Sequence, residues 1–141
     1  MAEDWTVEFR SLLEAPSPAV LTTIRKDGRA LSTPVWFRWH EGAFEVVIAK
    51  GDVKLGHLAR NPECALVVFE TVPPFRGIEV RETPELLDVD VTEARTAISG
   101  RYLGRAEGVR YAAGRSSKPG ILVRFRADAP RVWDLRSMLP S

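Results

Sequence analysis

The chain has 141 residues, a formal net charge of +1 and 45% hydrophobic residues, values that fit one soluble domain with one core. No apolar run approaches the roughly 20 residues that span a bilayer, and the balanced charge gives no indication of nucleic-acid binding. The first ten residues, MAEDWTVEFR, are acidic and contain no apolar signal region, so we expect a cytoplasmic protein with a single domain, residues 1–141.

The first fifty residues predict a helix followed by three strands. Apolar side chains recur at helical spacing between residues 4 and 14. The pair Asp27-Gly28 is typical of a tight hairpin turn, here between strands at residues 19–25 and 30–39. A further turn leads into a third strand at residues 44–49. We expect these strands to form an antiparallel meander.

The middle of the chain predicts a short helix and two more strands. Asp52 is placed to cap the helix, and Asn61-Pro62 ends it. A fourth strand follows at residues 64–70. A long fifth strand at residues 78–89 is expected to bend at Pro84.

The last third predicts one helix and two strands. Thr92 is placed to cap the helix and Gly104 to close it, whereas residues 105–120 are expected to be the least structured part. Strands at residues 121–127 and 131–136 complete six or seven in all, with two or three small helices. Because closure hides strand edges, this pattern predicts a mainly β, α+β fold with a closed or nearly closed antiparallel barrel.

Groups that commonly carry catalysis are scarce. His40 and His57 have no Cys or His partner at zinc-like spacing, so no metal site is predicted. Cys64, the single cysteine, lies in an apolar strand and is expected to be a packed thiol rather than a nucleophile. The chain contains no nucleophile elbow, P-loop or dinucleotide-binding glycine motif, and no catalytic residue is assigned.

The stretch LSTPVWFRW, residues 31–39, combines a proline with three aromatic residues in one predicted strand. Alternation predicts two faces. The expected core face holds Leu31, Thr33, Val35, Phe37 and Trp39, and the opposite face holds Ser32, Pro34, Trp36 and Arg38. Since Pro34 cannot donate a ladder hydrogen bond, we expect the backbone there to be an edge or a break that is open to a ligand.

Two basic features could bind an anion. Lys50 and Lys54 flank the predicted start of a helix, where free N–H groups suit a phosphate, but solvated surface lysines fit the same pattern. Residues 95–136 carry nine arginines and Lys118 against three acidic residues. This basic third could meet a small anion or an acidic partner surface, or it could be an ordinary solvated face.

Together these features resemble the pyridoxamine-phosphate-oxidase-like split-barrel superfamily and, more narrowly, the actinobacterial oxidoreductases that use coenzyme F420. The resemblance covers nearly the whole chain and rests on residues 19–39, 53–68, 76–88 and 101–104. It implies a split β-barrel that binds its cofactor at a homodimer interface. The residues it assigns to the cofactor are Ser32, Thr33, Pro34, Val35 and Trp36 beside the ring, Ala49, Lys50, Val53 and Lys54 around the phosphate, and Phe75 and Arg76 from the partner chain.

The resemblance implies an F420H2-dependent reductase of a conjugated or unsaturated small molecule. Tyr111 is a candidate proton donor, although an ordinary half-buried tyrosine fits the sequence as well. The chain departs from many F420-binding relatives at Asp52 and Gly56, where they carry basic residues. Two alternatives therefore stand beside the first: an FMN-dependent oxidase or reductase, and a non-catalytic protein that binds a flavin or a haem-type ligand.

Overall fold

The computed structural model describes residues 2–140 and contains two antiparallel sheets with short helices around them. Met1 and Ser141, which the predicted domain includes, lie outside the described residues. The strands are Ala19–Ile24 (β1), Ala30–Val35 (β2), Arg38–His40 (β3), Ala43–Ala49 (β4), Cys64–Phe69 (β5), Gly77–Val80 (β6), Glu85–Leu87 (β7), Gly120–Arg126 (β8) and Arg131–Trp133 (β9). The α-helices are Ala2–Glu8 (α1), Arg10–Glu14 (α2), Val53–Arg60 (α3), Thr92–Leu103 (α4) and Arg105–Gly114 (α5), and a 3-10 helix spans Arg136–Met138.

The two sheets enclose one core. The strand order is β2-β1-β5-β6-β9 in the larger sheet and β3-β4-β8-β7 in the smaller. Fully buried aromatic and aliphatic side chains from both sheets fill the space between them, among them Leu21, Leu66, Phe37, Phe44 and Phe125. The predicted α+β class with antiparallel sheets is confirmed.

The predicted meander of residues 18–49 is wrong in one respect, because its second strand divides between the two sheets. β2 pairs with β1 in the larger sheet, and β3 pairs with β4 in the smaller one. Strand alternation breaks where the chain crosses over, so that Phe37 and Arg38 are both buried. The expected core face is therefore only half-buried along β2, which lies at the edge of its sheet.

The predicted fifth strand divides in the same way. β6 pairs with β5 and β9 in the larger sheet, whereas β7 pairs with β8 in the smaller sheet. Pro84, which lacks a backbone N–H, lies in the connection between β6 and β7. These two divisions account for the nine strands found where six or seven were predicted.

The helices also depart from the predicted pattern. The first predicted helix is interrupted at Phe9, which separates α1 from α2. Thr92 does not cap α4 but is its first residue, and its N–H donates to Oδ1 of Asp90 at 2.9 Å. The expectation of little structure in residues 105–120 is wrong, because most of that segment forms α5.

The helices α4 and α5 form a tightly packed pair, called here the α4–α5 hairpin (92–114). Gly104, with φ of 87°, separates the two helices. Their backbones touch at Gly108, where a Cβ atom would lie 2.5 Å from the Cα atom of Gly100. The Ser99 hydroxyl donates to the Gly108 carbonyl at 3.0 Å. Since the buried residues of α5 are Gly108 and Ala112, this helix lacks the apolar stripe by which helices are recognised in a sequence.

A chain of ion pairs fixes the hairpin to the smaller sheet. The buried carboxylate of Glu45 accepts from Nε of Arg38 at 2.8 Å and from Nε of Arg124 at 2.7 Å. The two terminal nitrogens of Arg38 donate to both oxygens of Glu93 on α4, at 2.7 and 2.9 Å. A bidentate arginine–carboxylate pair sets orientation as well as distance, so the hairpin has a defined position over the sheet.

Within residues 2–140, no helix is both long and apolar enough to cross a membrane.

The packing of the hairpin gives a direct test. Gly108→Ala places a methyl group against the backbone of Gly100, and we expect it to lower the free energy of unfolding by about 1–3 kcal/mol. Gly114→Ala is the matched control, since a Cβ there has no neighbour within 4 Å. Urea denaturation of both variants measures the difference. Equal stability of the two would contradict the close contact.

Candidate functional site

A cavity of about 330 Å³ lies between the end of β2, the strand β4, the start of α3 and the α4–α5 hairpin. It is called here the main cavity because its walls enclose it more fully, although a shallower depression along α3 has a larger volume, about 580 Å³. Its lining residues are Pro34, Val35, Trp36, Val46, Val47, Ile48, Ala49, Asp52, Lys54, Arg95, Ile98, Ser99, Tyr111 and Arg115. Its volume lies at the lower end of the range for small-molecule sites.

The end of β2 forms an apolar wall of this cavity. β2 is an edge strand, so one side of its backbone has no neighbouring strand in the described chain. Pro34 is opposite Val20 of β1, an arrangement that an edge strand permits when the proline nitrogen faces the open side. The wall therefore combines an open strand edge with the side chains of Val35 and Trp36.

Trp36 is held in place by two tyrosines. Its ring stacks on Tyr102 with centroids 5.2 Å apart and planes 8° from parallel, and it meets Tyr111 at 5.3 Å. The Tyr102 hydroxyl donates to the Ser17 carbonyl at 3.0 Å and accepts from the Phe37 N–H at 3.3 Å. Burial raises the pKa of Tyr102. Trp36 is still 36% exposed, so this wall has an ordered aromatic surface that a ligand can reach.

The start of α3 brings charge to the cavity. Oδ1 of Asp52 accepts from the Lys54 N–H at 2.9 Å and so caps the helix as predicted, while Oδ2 accepts from Lys54 Nζ at 3.0 Å. Burial alone raises the pKa of Asp52, but the hydrogen bonds and the charge of Lys54 outweigh it and lower the pKa. Lys54 is thus a mostly buried cation whose position is set by its neighbour.

The α4–α5 hairpin supplies the opposite wall, of which sequence reasoning predicted α4 and named Tyr111 but missed the helix α5. Arg95 Nη1 donates to the Arg115 carbonyl at 3.0 Å. The Arg115 guanidinium lies over the ring of Tyr111, 4.8 Å from its centroid. The signal that could have predicted α5 is the spacing of Gly108 and Ala112, small residues one helical turn apart that are both buried.

The structure brings five of the eleven predicted cofactor residues together. These five line the main cavity: Pro34, Val35, Trp36, Ala49 and Lys54. Ser32 and Thr33 lie further along β2, where the Ser32 hydroxyl bonds to Thr22 at 2.8 Å. Lys50 pairs with Asp88 on the surface at 2.9 Å, and Val53 is 60% exposed outside the cavity.

Phe75 and Arg76 do not line the main cavity. Arg76 pairs with Glu70, with Nε 2.9 Å from Oε2, and also donates to the Ser11 hydroxyl at 2.8 Å. The hydrogen bonds from Arg76 lower the pKa of Glu70. The contribution of Phe75 and Arg76 to a partner chain's site stays a prediction.

The candidate groups His57 and Cys64 are buried and lie outside the main cavity. His57 is buried, with Nδ1 2.9 Å from the Thr23 hydroxyl. Cys64 belongs to the core, and burial raises the pKa of its thiol to about 11. Among residues 2–140 no group of three or more His, Cys, Asp or Glu side chains is arranged to hold a metal ion.

Comparison with known proteins identifies the fold. The family model described as pyridoxamine 5′-phosphate oxidase matches residues 6–134. No curated protein matches the chain. Among solved structures, a conserved hypothetical protein from Mycobacterium tuberculosis superposes with a TM-score of 0.76 at 23% identity, covering 96% of this chain and 88% of that one.

Two further structures have the same architecture. An F420 reductase superposes with a TM-score of 0.63 at 24% identity, covering 86% of this chain and 94% of that chain. The haem-storage protein of Vibrio cholerae superposes with a TM-score of 0.66 at 14% identity, covering 91% of this chain and 92% of that chain. At these identities the likeness shows the fold alone, which is the split barrel.

Asp52 makes stability depend on pH in a predictable direction. Because its folded-state pKa lies below the ordinary 3.8, the ionised form contributes stability that is fully present above that pH and is lost as pH falls through the folded-state value. Asp52→Asn keeps a capping oxygen but removes the charge. We expect the variant to unfold at lower urea than the wild type at neutral pH, and the difference to shrink as pH falls below 3.8.

Asp88→Asn is the control, because it removes the carboxylate of the exposed surface pair with Lys50. Such a pair contributes little to stability. A difference between Asp52→Asn and wild type that stays constant from neutral to acid pH would contradict the assignment.

Proposed function

The chain belongs to the pyridoxamine 5′-phosphate oxidase family, and from that premise we propose that it is an oxidoreductase that binds coenzyme F420 and reduces a conjugated or unsaturated small molecule. The observation that carries the proposal is the composition of the main cavity. One wall is an apolar strand edge with an exposed tryptophan, and the start of α3 adds a partly buried lysine to the same cavity.

The residues present fit the two chemical parts of a deazaflavin cofactor. A planar ring needs a flat apolar surface, which Pro34, Val35 and Trp36 supply. A phosphate suits the N-terminus of an eight-residue helix with a lysine in its first turn, which is the position of Lys54 in α3. We assign these two regions to the ring and to the phosphate respectively.

The cofactor supplies the hydride when it is bound, so the protein itself needs no nucleophile. The part of Trp36 and Val35 is to orient the ring and to keep water from it. Lys54 holds the phosphate by charge-assisted hydrogen bonds. The Tyr111 hydroxyl is our candidate for the proton that a reduced substrate takes up, since its ring touches Trp36 at the ring end of the cavity.

We also propose that the active form is a homodimer, as the family resemblance implies. In that assembly Phe75 and Arg76 of one chain border the cofactor of the other. Sedimentation or light scattering gives the assembly state, and a monomer that binds the cofactor with full affinity would contradict this part of the proposal.

A second candidate is a protein that binds a flavin or a haem-type ligand without turnover. The Asp52 carboxylate favours it, because an ionised acid beside Lys54 offsets the positive charge at the start of α3. FMN in place of F420 is the third possibility.

Titration with F420, FMN, FAD and haem, followed by fluorescence or absorbance, separates these functions. We expect F420 to bind at micromolar concentration and the F420H2-loaded protein to reduce conjugated acceptors, with loss of F420H2 absorbance as the readout. Binding of FMN alone, or of haem alone, would transfer the assignment to that ligand. If the protein binds F420 but reduces none of a panel of conjugated acceptors, it is a cofactor carrier rather than an enzyme.

Two lysines of the same segment give a matched pair of variants. Lys54 lines the cavity, whereas Lys50 pairs with Asp88 on the surface. We expect Lys54→Ala to weaken F420 binding roughly tenfold, the loss typical of one charge-assisted hydrogen bond, and Lys50→Ala to leave it nearly unchanged. If the two changes weaken F420 binding equally in the same titration, the assignment of Lys54 to the cofactor phosphate is wrong.

A further inference from the structure

Arg95 makes the fewest side-chain hydrogen bonds of the arginines that are not exposed in the described chain. Five arginines belong to that group. Arg38, Arg76 and Arg124 each pair with a glutamate at 2.9 Å or less. Arg101 donates to two main-chain carbonyls at the end of α2, those of Glu14 and Ala15. The Arg95 side chain makes one hydrogen bond, to a single carbonyl, and like Arg101 it has no carboxylate partner among the described residues.

The position of Arg95 is fixed without an acid. Its Nη1 is held by the Arg115 carbonyl, and its Nη2 lies only 2.9 Å from where a Cβ of Gly120 would be. Gly120 thus leaves room for the guanidinium against β8. A half-buried guanidinium that is held in place and lines a cavity leaves donors for a ligand anion.

Arg115 and Tyr111 extend this surface toward Trp36. The Arg115 guanidinium stacks over Tyr111 and has no carboxylate partner in the part of the chain described. The Tyr111 ring lies between Arg115 and Trp36, and its hydroxyl makes no hydrogen bond to the described residues. Two guanidinium groups and a phenol donor therefore line the cavity on the hairpin side.

The charge at the two ends of the cavity differs. At the start of α3 the Asp52 carboxylate balances Lys54. On the hairpin side, the lining residues Arg95 and Arg115 face no such carboxylate, because Asp52 is the single acidic residue in the described lining. The uncompensated positive charge of the cavity therefore belongs to the hairpin wall.

We propose that Arg95 and Arg115 form a carboxylate-binding subsite, and that the substrate is a small planar, conjugated carboxylic acid. The inference rests on the proposed function in that it takes the main cavity as the reaction site. The cofactor phosphate has its own position at α3, so the hairpin wall is left to the substrate. The acid group lies against the arginines, and the conjugated part extends past Tyr111 toward the cofactor ring at Trp36.

The test compares 2-naphthoate with 2-naphthamide, which have the same ring and differ in charge. Binding to the full chain is measured by calorimetry, with and without saturating F420. We expect the carboxylate to bind roughly tenfold more tightly than the amide in wild-type protein. Arg115→Gln and Arg95→Gln should remove this preference, while Arg115→Lys should keep part of it.

Arg110→Gln is the control, because Arg110 lies on the same helix, is exposed and pairs with Glu107 at 2.7 Å. It should retain the full preference for naphthoate. Circular dichroism checks that each variant is folded, and Arg115→Gln, an exposed position, keeps the test available if Arg95→Gln does not fold.

A parallel arm compares FMN with riboflavin, which differ only in the phosphate. If Arg115→Gln removes the preference for FMN and leaves the preference for naphthoate, the hairpin wall serves the cofactor and the inference is wrong. It is also wrong if wild-type protein shows no preference for naphthoate over naphthamide in either state. A preference for naphthoate that depends on Arg115, in a protein that binds neither F420 nor FMN, would support the subsite while refuting the proposed function.

Discussion

The candidate site depends on the ion pairs of Arg38. This side chain joins Glu45 on β4 to Glu93 on α4 and thereby fixes the α4–α5 hairpin over the smaller sheet. A buried carboxylate left without its partner costs about 3–5 kcal/mol in typical proteins, which applies to Glu45, whereas the Glu93 side chain is 75% exposed and its bidentate pair with Arg38 contributes orientation more than stability. Because the hairpin forms the second wall of the cavity, this attachment, together with the contacts of Tyr102 to Trp36 and Phe37, sets the position of that wall.

The crossing of the chain from the larger sheet to the smaller one positions the aromatic wall of the cavity. Alternation still holds from Trp36 to Phe37, which places Trp36 at the rim of the cavity and Phe37 in the core, and it fails at the next step, where Arg38 is buried as well. Tyr102 joins the two, since it stacks on Trp36 and accepts from the N–H of Phe37. The aromatic wall of the site is thus an extension of the core packing.

Local signals in the sequence predicted much of the fold, and five of the eleven predicted cofactor residues line the main cavity. Hairpin glycines, the Asp52 cap and the proline after α3 act on their immediate neighbours, and each was interpreted correctly. The division of two strands between sheets and the existence of α5 depend on distant contacts, such as Trp36 with Tyr102 and Gly108 with Gly100. The sequence could not show that Arg95 lacks an acidic partner, because the partners of a side chain depend on which residues lie near it in the folded chain.

The open edge of β2 has a consequence for how the protein behaves in concentrated solution. An unpaired strand edge is a template on which another chain can add a strand and begin to aggregate. A proline in that edge interrupts the row of donors, and β2 carries Pro34 near its end. The same residue that leaves the backbone open to a small flat molecule therefore makes it a poor template for a foreign strand.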